Sequence, residues 1–185
     1  VIESRNDRLP TGTIVGGSLG WQEYVVTDGT SLPVNVLPND TDTPAAMGVL
    51  GVTGLTAYFG MLEIGKPKAG DTVLVSGAAG ATGSIAGQLA MIEGCRVVGI
   101  AGSDEKCQWL TQDLGFDDAI NYKSEDVAAR VRETCPQGVN IYYDNVGGEI
   151  LDIALNNLAD HARVVICGGI SRYNATGPVS GPENY

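Results

Sequence analysis

The stretch VLVSGAAGATGSIAGQLA, Val73 to Ala90, decides how the rest of this chain is read. Its β-formers Val73-Leu74-Val75 break into small residues and then into a helical pattern, which is how a strand, a tight turn and a helix N-terminus look in sequence. Such a junction binds anions, because the first N–H groups of a helix lack partners within it and the helix dipole is positive at that end. Gly77, Gly80 and Gly83 are spaced G-x-x-G-x-x-G, and the register closest to the dinucleotide fingerprint is Ala78-x-Gly80-x-x-Gly83, with alanine in the first glycine place. In that register Gly80 lets the backbone approach a pyrophosphate and Gly83 lets the helix pack on the strand.

Working outward, short apolar runs alternate with amphipathic segments from Asp71 onward. The spacing predicts strands near 72–76, 96–101, 118–121, 139–143 and 162–167, and helices near 81–93, 104–113, 125–134 and 147–158. Alternation of this kind needs right-handed crossovers with helices on both faces of a parallel sheet, so the expected fold is a doubly wound α/β sheet. Upstream the character changes. Residues 1–42 hold the short β-like pieces TGTIVGG and WQEYVVTDG and a Pro-rich connection, SLPVNVLPNDTDTP, and read as part of a β-rich unit. Pro44 to Gly65 is apolar at helical spacing, with interruptions expected at Gly51 and Gly54. The expected division is therefore 1–42 and 43–185. The start without methionine and the loop-like end GPENY suggest a piece of a longer protein.

Composition narrows the partners. With 185 residues and 43% hydrophobic content the chain can bury one real core. Its net charge of -11, with 11 scattered Lys and Arg, argues against nucleic acid. No apolar run approaches the roughly 18 residues of a membrane span, so no membrane partner is expected. Cys95, Cys107, Cys135 and Cys167 show no C-x-x-C spacing, which fits free thiols in a reducing, cytoplasmic setting.

The choice between NAD and NADP rests on the end of the second strand of the alternating region, where an NAD site places Asp or Glu on the ribose 2′-hydroxyl. Here the chain reads Ala101-Gly102-Ser103, with Lys106 one turn into the next helix. No carboxylate blocks a 2′-phosphate at the strand end, and Lys106 can supply charge, which favours NADP. Asp104 and Glu105 are acidic and close; behind a Ser103 cap they read as first-turn residues that complement the dipole and face away. Lys106 also has a plainer reading as a solvated helix lysine.

Six separated segments, GLTAYFGMLE, VLVSGAAGATGSIAGQLA, VVGIAGSDEKC, DDAINYKSED, YYDNVGGE and VVICGGISRYN, occur in the order found in a known family. Over about 48–175 the chain resembles the zinc-independent medium-chain reductases that include prostaglandin reductase, leukotriene B4 12-hydroxydehydrogenase and plant 2-alkenal reductase. The resemblance implies a Rossmann domain at 43–185, incomplete at its C-terminal end, and at 1–42 a remnant of a GroES-like catalytic domain. It implies NADPH-dependent reduction of the carbon-carbon double bond of small enones and enals, and leaves a homodimer as a possible assembly. It places the pyrophosphate on Ala79, Gly80, Ala81, Thr82 and Gly83, and the 2′-phosphate on Lys106 and Tyr122, beside Ser103. Asn145 falls near the nicotinamide half of the cofactor. Tyr173 matches a tyrosine that reaches the nicotinamide ribose and the substrate carbonyl, and is the expected catalytic residue. Tyr122 as a strand-end aromatic, Asn145 as a turn residue and Tyr173 as a loop tyrosine remain alternatives.

Other chemistries find less support. No Cys or His occurs in 1–94, and the single histidine, His161, reads as a surface or packing residue just before the fifth strand of the alternating region, so zinc ligation is not expected. Ser76 lies outside any G-x-S-x-G elbow, and no GxxxxGK[ST] loop follows the first strand of that region. A metal-free reductase needs only to orient its cofactor and to place donors on the developing enolate, so hydride transfer to the substrate β-carbon with Tyr173 as donor is the leading reading. A quinone reductase and a non-catalytic NADPH-binding protein of the same fold stand beside it.

Overall fold

In the computed structural model, which describes residues 1–30, 34–38, 40–178 and 181, the chain clusters into two units, Val1–Gly51 and Val52–Tyr185. In the first, β1 (Ile14–Gly17) pairs antiparallel with β2 (Val34–Leu37), Ile14 opposite Leu37 and Gly17 opposite Val34. β1 lies within TGTIVGG as expected. β2 corrects the reading of SLPVNVLPNDTDTP as a connection, because its prolines bound the run VNVL instead of interrupting it, and proline ends a ladder only where it stands. WQEYVVTDG forms no strand, and its Trp21, Tyr24 and Val26 are exposed. A short helix, α1 (Thr43–Met47), carries Pro44 in its first turn. Residues 31–33 and 39 of the connection, and 182–185 of GPENY, lie outside the described residues.

The second unit opens with α2 (Val52–Tyr58), which continues as a π-helical turn over Phe59–Gly65 and closes with Lys66 N–H donating to Met61 O at 2.9 Å. The interruption falls before Val52; Gly54, expected to break the helix, is instead buried inside α2. Gly60 is required where it stands, since a Cβ there would lie 2.7 Å from the Tyr143 hydroxyl oxygen.

The alternating region forms β3 (Thr72–Ser76), α3 (Ala81–Ile92), β4 (Arg96–Ala101), α4 (Asp104–Gln108) with a π-helical continuation to Asp113, β5 (Asp118–Asn121), α5 (Val127–Thr134), β6 (Val139–Asp144), α6 (Gly148–Leu155) and β7 (Leu158–Ile166). A single 3₁₀ turn, Ile170–Arg172, follows. The strands pair in the order β5-β4-β3-β6-β7, and every pair is parallel. This is the doubly wound α/β sheet that the alternation predicts.

Period-two burial explains the layers. Val73 and Val75 of β3 pack with Val97, Ala86, Ala90 and Phe116 on one face, while Leu74 packs with Val98, Ile120, Val131 and Tyr142 on the other. Both faces are covered, so the central strands read as unbroken apolar runs rather than alternating ones. At the β7 edge the register slips: Val139 faces Leu158 and Ile141 faces Arg163, and His161 adopts φ 60° within the extra residues. The last strand therefore begins at Leu158, earlier than the expected 162, and the exposed His161 lies inside it. The bulge spaces out the apolar positions and hides the strand's start from a pattern reading.

α3 approaches the sheet closely because Gly87 faces Phe116; a Cβ on Gly87 would lie 2.0 Å from Phe116 Cζ. Gly→Ala inside a helix ordinarily stabilises by up to about 1 kcal/mol, whereas forcing a methyl into a packed core costs about 1–3 kcal/mol. Gly87→Ala is therefore expected to lower the midpoint of urea unfolding, and a raised midpoint would show that the Phe116 ring yields.

Candidate functional site

The chain enters the sheet at its centre, winds outward through β4 to β5, and returns to the opposite side of β3 as β6. The strand order therefore reverses between β3 and β6, and the crevice beyond their carboxyl ends is where open α/β sheets bind ligands. The residues expected to hold a cofactor gather along this rim.

At the end of β3, Gly77 turns the chain with φ +57° and Ala78 N–H donates to Ile100 O at 3.0 Å, which ties the loop to β4. Gly80 N–H donates to Gly77 O at 3.0 Å, and Ser84 N–H donates to Gly80 O at 2.9 Å to open α3. Gly80 is the N-cap and no side chain caps the helix, so its leading N–H groups are left for an anion. Gly83 has no alternative: a Cβ there would meet Gly77 O at 2.4 Å and Ala78 Cα at 2.9 Å. Ala79, Gly80, Ala81, Thr82 and Gly83 thus form a backbone cradle at the N-terminus of α3, in which bulk at residue 83 is excluded.

Across the crevice, the end of β6 is fixed by a buried carboxylate. Asp144 Oδ1 accepts from Ser76 Oγ at 3.0 Å, Tyr142 Oη at 2.8 Å, Val146 N at 3.0 Å and Gly147 N at 2.9 Å. Burial and the neighbouring Asp144 raise the Tyr142 hydroxyl far above the ordinary tyrosine range, so it stays a donor. Asn145 bridges back to β3, its N–H donating to Ser76 Oγ at 2.9 Å and its side-chain amide to Ser76 O at 2.7 Å. The Asn145 Cβ also lies 3.4 Å from the point where a Cβ would stand on Gly77. In sequence Ser76 was weighed only as a nucleophile, and Asp144 was not singled out. The only available signal was polar residues ending apolar strands.

The segment after β7 returns to the same place. Cys167 and Gly168 N–H donate to Asp144 O at 2.8 and 3.0 Å, and Ile170 N–H donates to Asn145 O at 3.2 Å. Tyr173 folds back so that its hydroxyl accepts from Gly169 N–H at 3.3 Å. A Cβ on Gly168 would stand 3.1 Å from that hydroxyl and 3.2 Å from Asn145 O, so Tyr173 and Asn145 converge over Gly168. The ring is exposed and the hydroxyl keeps its own proton to donate.

The rim also carries the ends of β4 and β5. Ser103 caps α4, its Oγ accepting from Lys106 N–H at 3.3 Å, and Lys106 extends into solvent. Tyr122 N–H donates to Ala101 O at 3.1 Å, and its ring lies over Gly102, where a Cβ would fall 2.9 Å from it. The cation on that ring is not Lys106 but Lys123, with Nζ 6.0 Å from the centroid. Asp104 is engaged: its Oδ1 accepts from the amide of the buried Asn121 at 2.6 Å, while Asn121 Oδ1 accepts from Lys123 N–H at 3.1 Å. Sequence reasoning missed Asn121 and Lys123, although both flank Tyr122 in NYK.

Other chemistry is sparse. Burial pushes the Cys95 thiol up to about 11 and also raises Cys107 and Cys135, which disfavours nucleophilic thiolates at those three positions. Among the described residues no group of three or more His, Cys, Asp and Glu converges to hold a metal, and no helix is long and apolar enough to cross a membrane. A groove of about 400 Å³ runs between α2 and the β6–β7 edge, lined by Leu55, Phe59, Tyr143 and Val165 among others; it is apolar and does not include the α3 cradle.

Comparison with known proteins bears on the family and the fold. Residues 81–180 match the family model described as zinc-binding dehydrogenase. Prostaglandin reductase 1 of Bos taurus is 49% identical over 99% of this chain and 56% of its own length. An NADP(+)-dependent 2-alkenal reductase of Nicotiana tabacum is 43% identical over 94% of this chain and 51% of its own. The crystal structure of CurA from Vibrio vulnificus in complex with NADPH superposes with a TM-score of 0.80 at 44% identity, covering 89% of this chain and 48% of that one. The chain spans about half the length of the curated relatives it matches. With the cradle at the sheet's switch point and the family model covering more than half of its residues, the chain belongs to the zinc-binding dehydrogenase family of medium-chain reductases.

Proposed function

We propose that this chain is the cofactor-binding part of an NADPH-dependent reductase acting on the carbon-carbon double bond of α,β-unsaturated ketones and aldehydes. The observation that carries the reading is the uncapped α3 N-terminus, where a Cβ at Gly83 cannot fit, on the same rim as a β4 end whose nearest carboxylate is already engaged. The cradle fits a pyrophosphate, and the relatives named above support the cofactor and the substrate class. The family description carries zinc, but the described residues supply no ligand set for it, and no step of this reading runs through a metal.

In this reading the leading N–H groups of α3, at Ala81, Thr82 and Gly83, hold the pyrophosphate, while Ala79 and Gly80 shape the turn before them, Gly80 N–H being bonded to Gly77 O; Ser103, Lys106 and Tyr122 receive the 2′-phosphate. Asn145, held to Ser76 by two hydrogen bonds, borders the crevice next to the nicotinamide position. NADPH, when bound, supplies the hydride. Tyr173 donates its free O–H to the substrate carbonyl, and the Gly169 N–H on its oxygen strengthens it as a donor when charge builds there. Because Gly168 has no side chain, nothing at that position crowds the hydroxyl.

Fluorescence titration of the full-length protein should give NADPH binding about tenfold or more tighter than NADH, since a charge-assisted phosphate contact is worth about 1.5–3 kcal/mol. Lys106→Ala should remove most of that margin and leave NADH affinity nearly unchanged; equal affinities in the parent protein would overturn the cofactor assignment. Tyr173→Phe should lower kcat on a small enone by about tenfold with a smaller change in KM, because a donor to developing charge acts mainly in the transition state. Unchanged kcat with weakened NADPH binding would make Tyr173 a cofactor clamp. Recovery of the saturated ketone separates the reading from quinone reduction, and absence of turnover with intact NADPH binding would favour a binding protein.

A further inference from the structure

A carboxylate stands in the first turn of α4, just beyond the end of β4, and a buried amide holds it. Asp104 follows Ser103 directly in the first turn of α4, beyond the end of β4, and is otherwise exposed. Its Oδ1 accepts from Asn121 Nδ2 at 2.6 Å. Asn121 ends β5 with 7% exposure, and both ends of its side-chain amide and its backbone oxygen are bonded. Its side-chain oxygen accepts from Lys123 N–H at 3.1 Å, and its backbone oxygen accepts from Ser124 and Glu125 N–H at 3.1 and 3.0 Å. The same residue therefore ties down the acid on one side of Tyr122 and fixes the turn that carries Lys123 on the other. Of the remaining acids nearby, Glu125 pairs with Arg130 at 3.5 Å and Glu105 is exposed on α4. Asp104 is thus the carboxylate whose position Asn121 decides.

We propose that Asn121 is a specificity-determining positioning residue for the cofactor's 2′-phosphate: it holds the Asp104 carboxylate aside and the Tyr122-Lys123 turn in place. Released, Asp104 is a first-turn acid beside Gly102–Ser103, where a carboxylate accepts the 2′-hydroxyl of an unphosphorylated ribose and repels a phosphate. Selection between the two cofactors then depends on a hydrogen bond between two residues neither of which has to touch the ligand. This inference rests on the NADPH reading above.

The test is a double-mutant cycle in the full-length protein, with NADPH and NADH binding each followed by fluorescence titration and folding followed by circular dichroism. Asn121→Ala should lower the NADPH-to-NADH affinity ratio by about tenfold, the size of one charged contact. Asp104→Asn should change the ratio by less than about threefold in the parent, yet restore most of it in the Asn121→Ala background. Equal losses for both cofactors, or no rescue by Asp104→Asn, would reduce Asn121 to a structural role and overturn the inference while leaving the NADPH reading intact. Absence of any NADPH preference in the parent overturns both. Where Asn121→Ala does not fold, Asp104→Asn alone decides, since a ratio change well above threefold would show that its carboxylate already acts on the site.

Discussion

One oxygen of one buried carboxylate, Asp144 Oδ1, accepts from a serine hydroxyl of β3, a tyrosine hydroxyl of β6 and two N–H groups of the loop beyond β6. A charge at 1% exposure is tolerable only when so fully bonded, and each bond fixes a different part of the crevice. Ser76 passes the constraint to Asn145, and the Asp144 backbone oxygen receives the segment that leads to Tyr173. Removing the carboxylate would unfasten both walls of the switch point at once, because replacing one partner leaves several buried donors unsatisfied.

The centre of the rim and its β4–β5 end are built by opposite means. At β3 the groups left open belong to the backbone, and the side chains are reduced to the small sizes that geometry permits. At β4 and β5 the backbone is ordinary, and the surface is built from side chains that steer one another: Ser103 capping Lys106 N–H, Tyr122 lying over Gly102, Asn121 engaging Asp104. The first kind of site changes only by breaking the turn. The second can be retuned by single substitutions without touching the sheet.

The doubly wound sheet was legible because its signals are local: buried β-formers ending at small residues, then a helical period. β3, β4 and β5 fall where the spacing put them. β2 and the start of β7 were not legible, the first because prolines flank a run that pairs only across the chain, the second because a bulge spaces out its apolar positions. At the site, the glycine spacing marked the loop that opens α3, and the missing strand-end acid is what motivates the reading of a 2′-phosphate there. Asn121 and Asp144 were not singled out, and Ser76 was weighed only as a nucleophile, since the bonds that join one strand end to another, Ser76 to Asp144 and Asn145 and Asn121 to Asp104, span 17 to 69 residues, a relation that no local pattern carries.

A parallel sheet also acts as a ruler. Neighbouring strands lie about 4.8 Å apart, so the rim from the end of β5, past β4 and β3, to the end of β6 spans three intervals, roughly 15 Å. The polar groups described above stand at both extremes and in the middle of that span. A compact mononucleotide can engage one extreme and the centre, whereas contact with all three requires an elongated molecule lying across the strand ends with its most highly charged portion over β3. The spacing of the strands thus sets the distance that any molecule engaging all three would have to bridge.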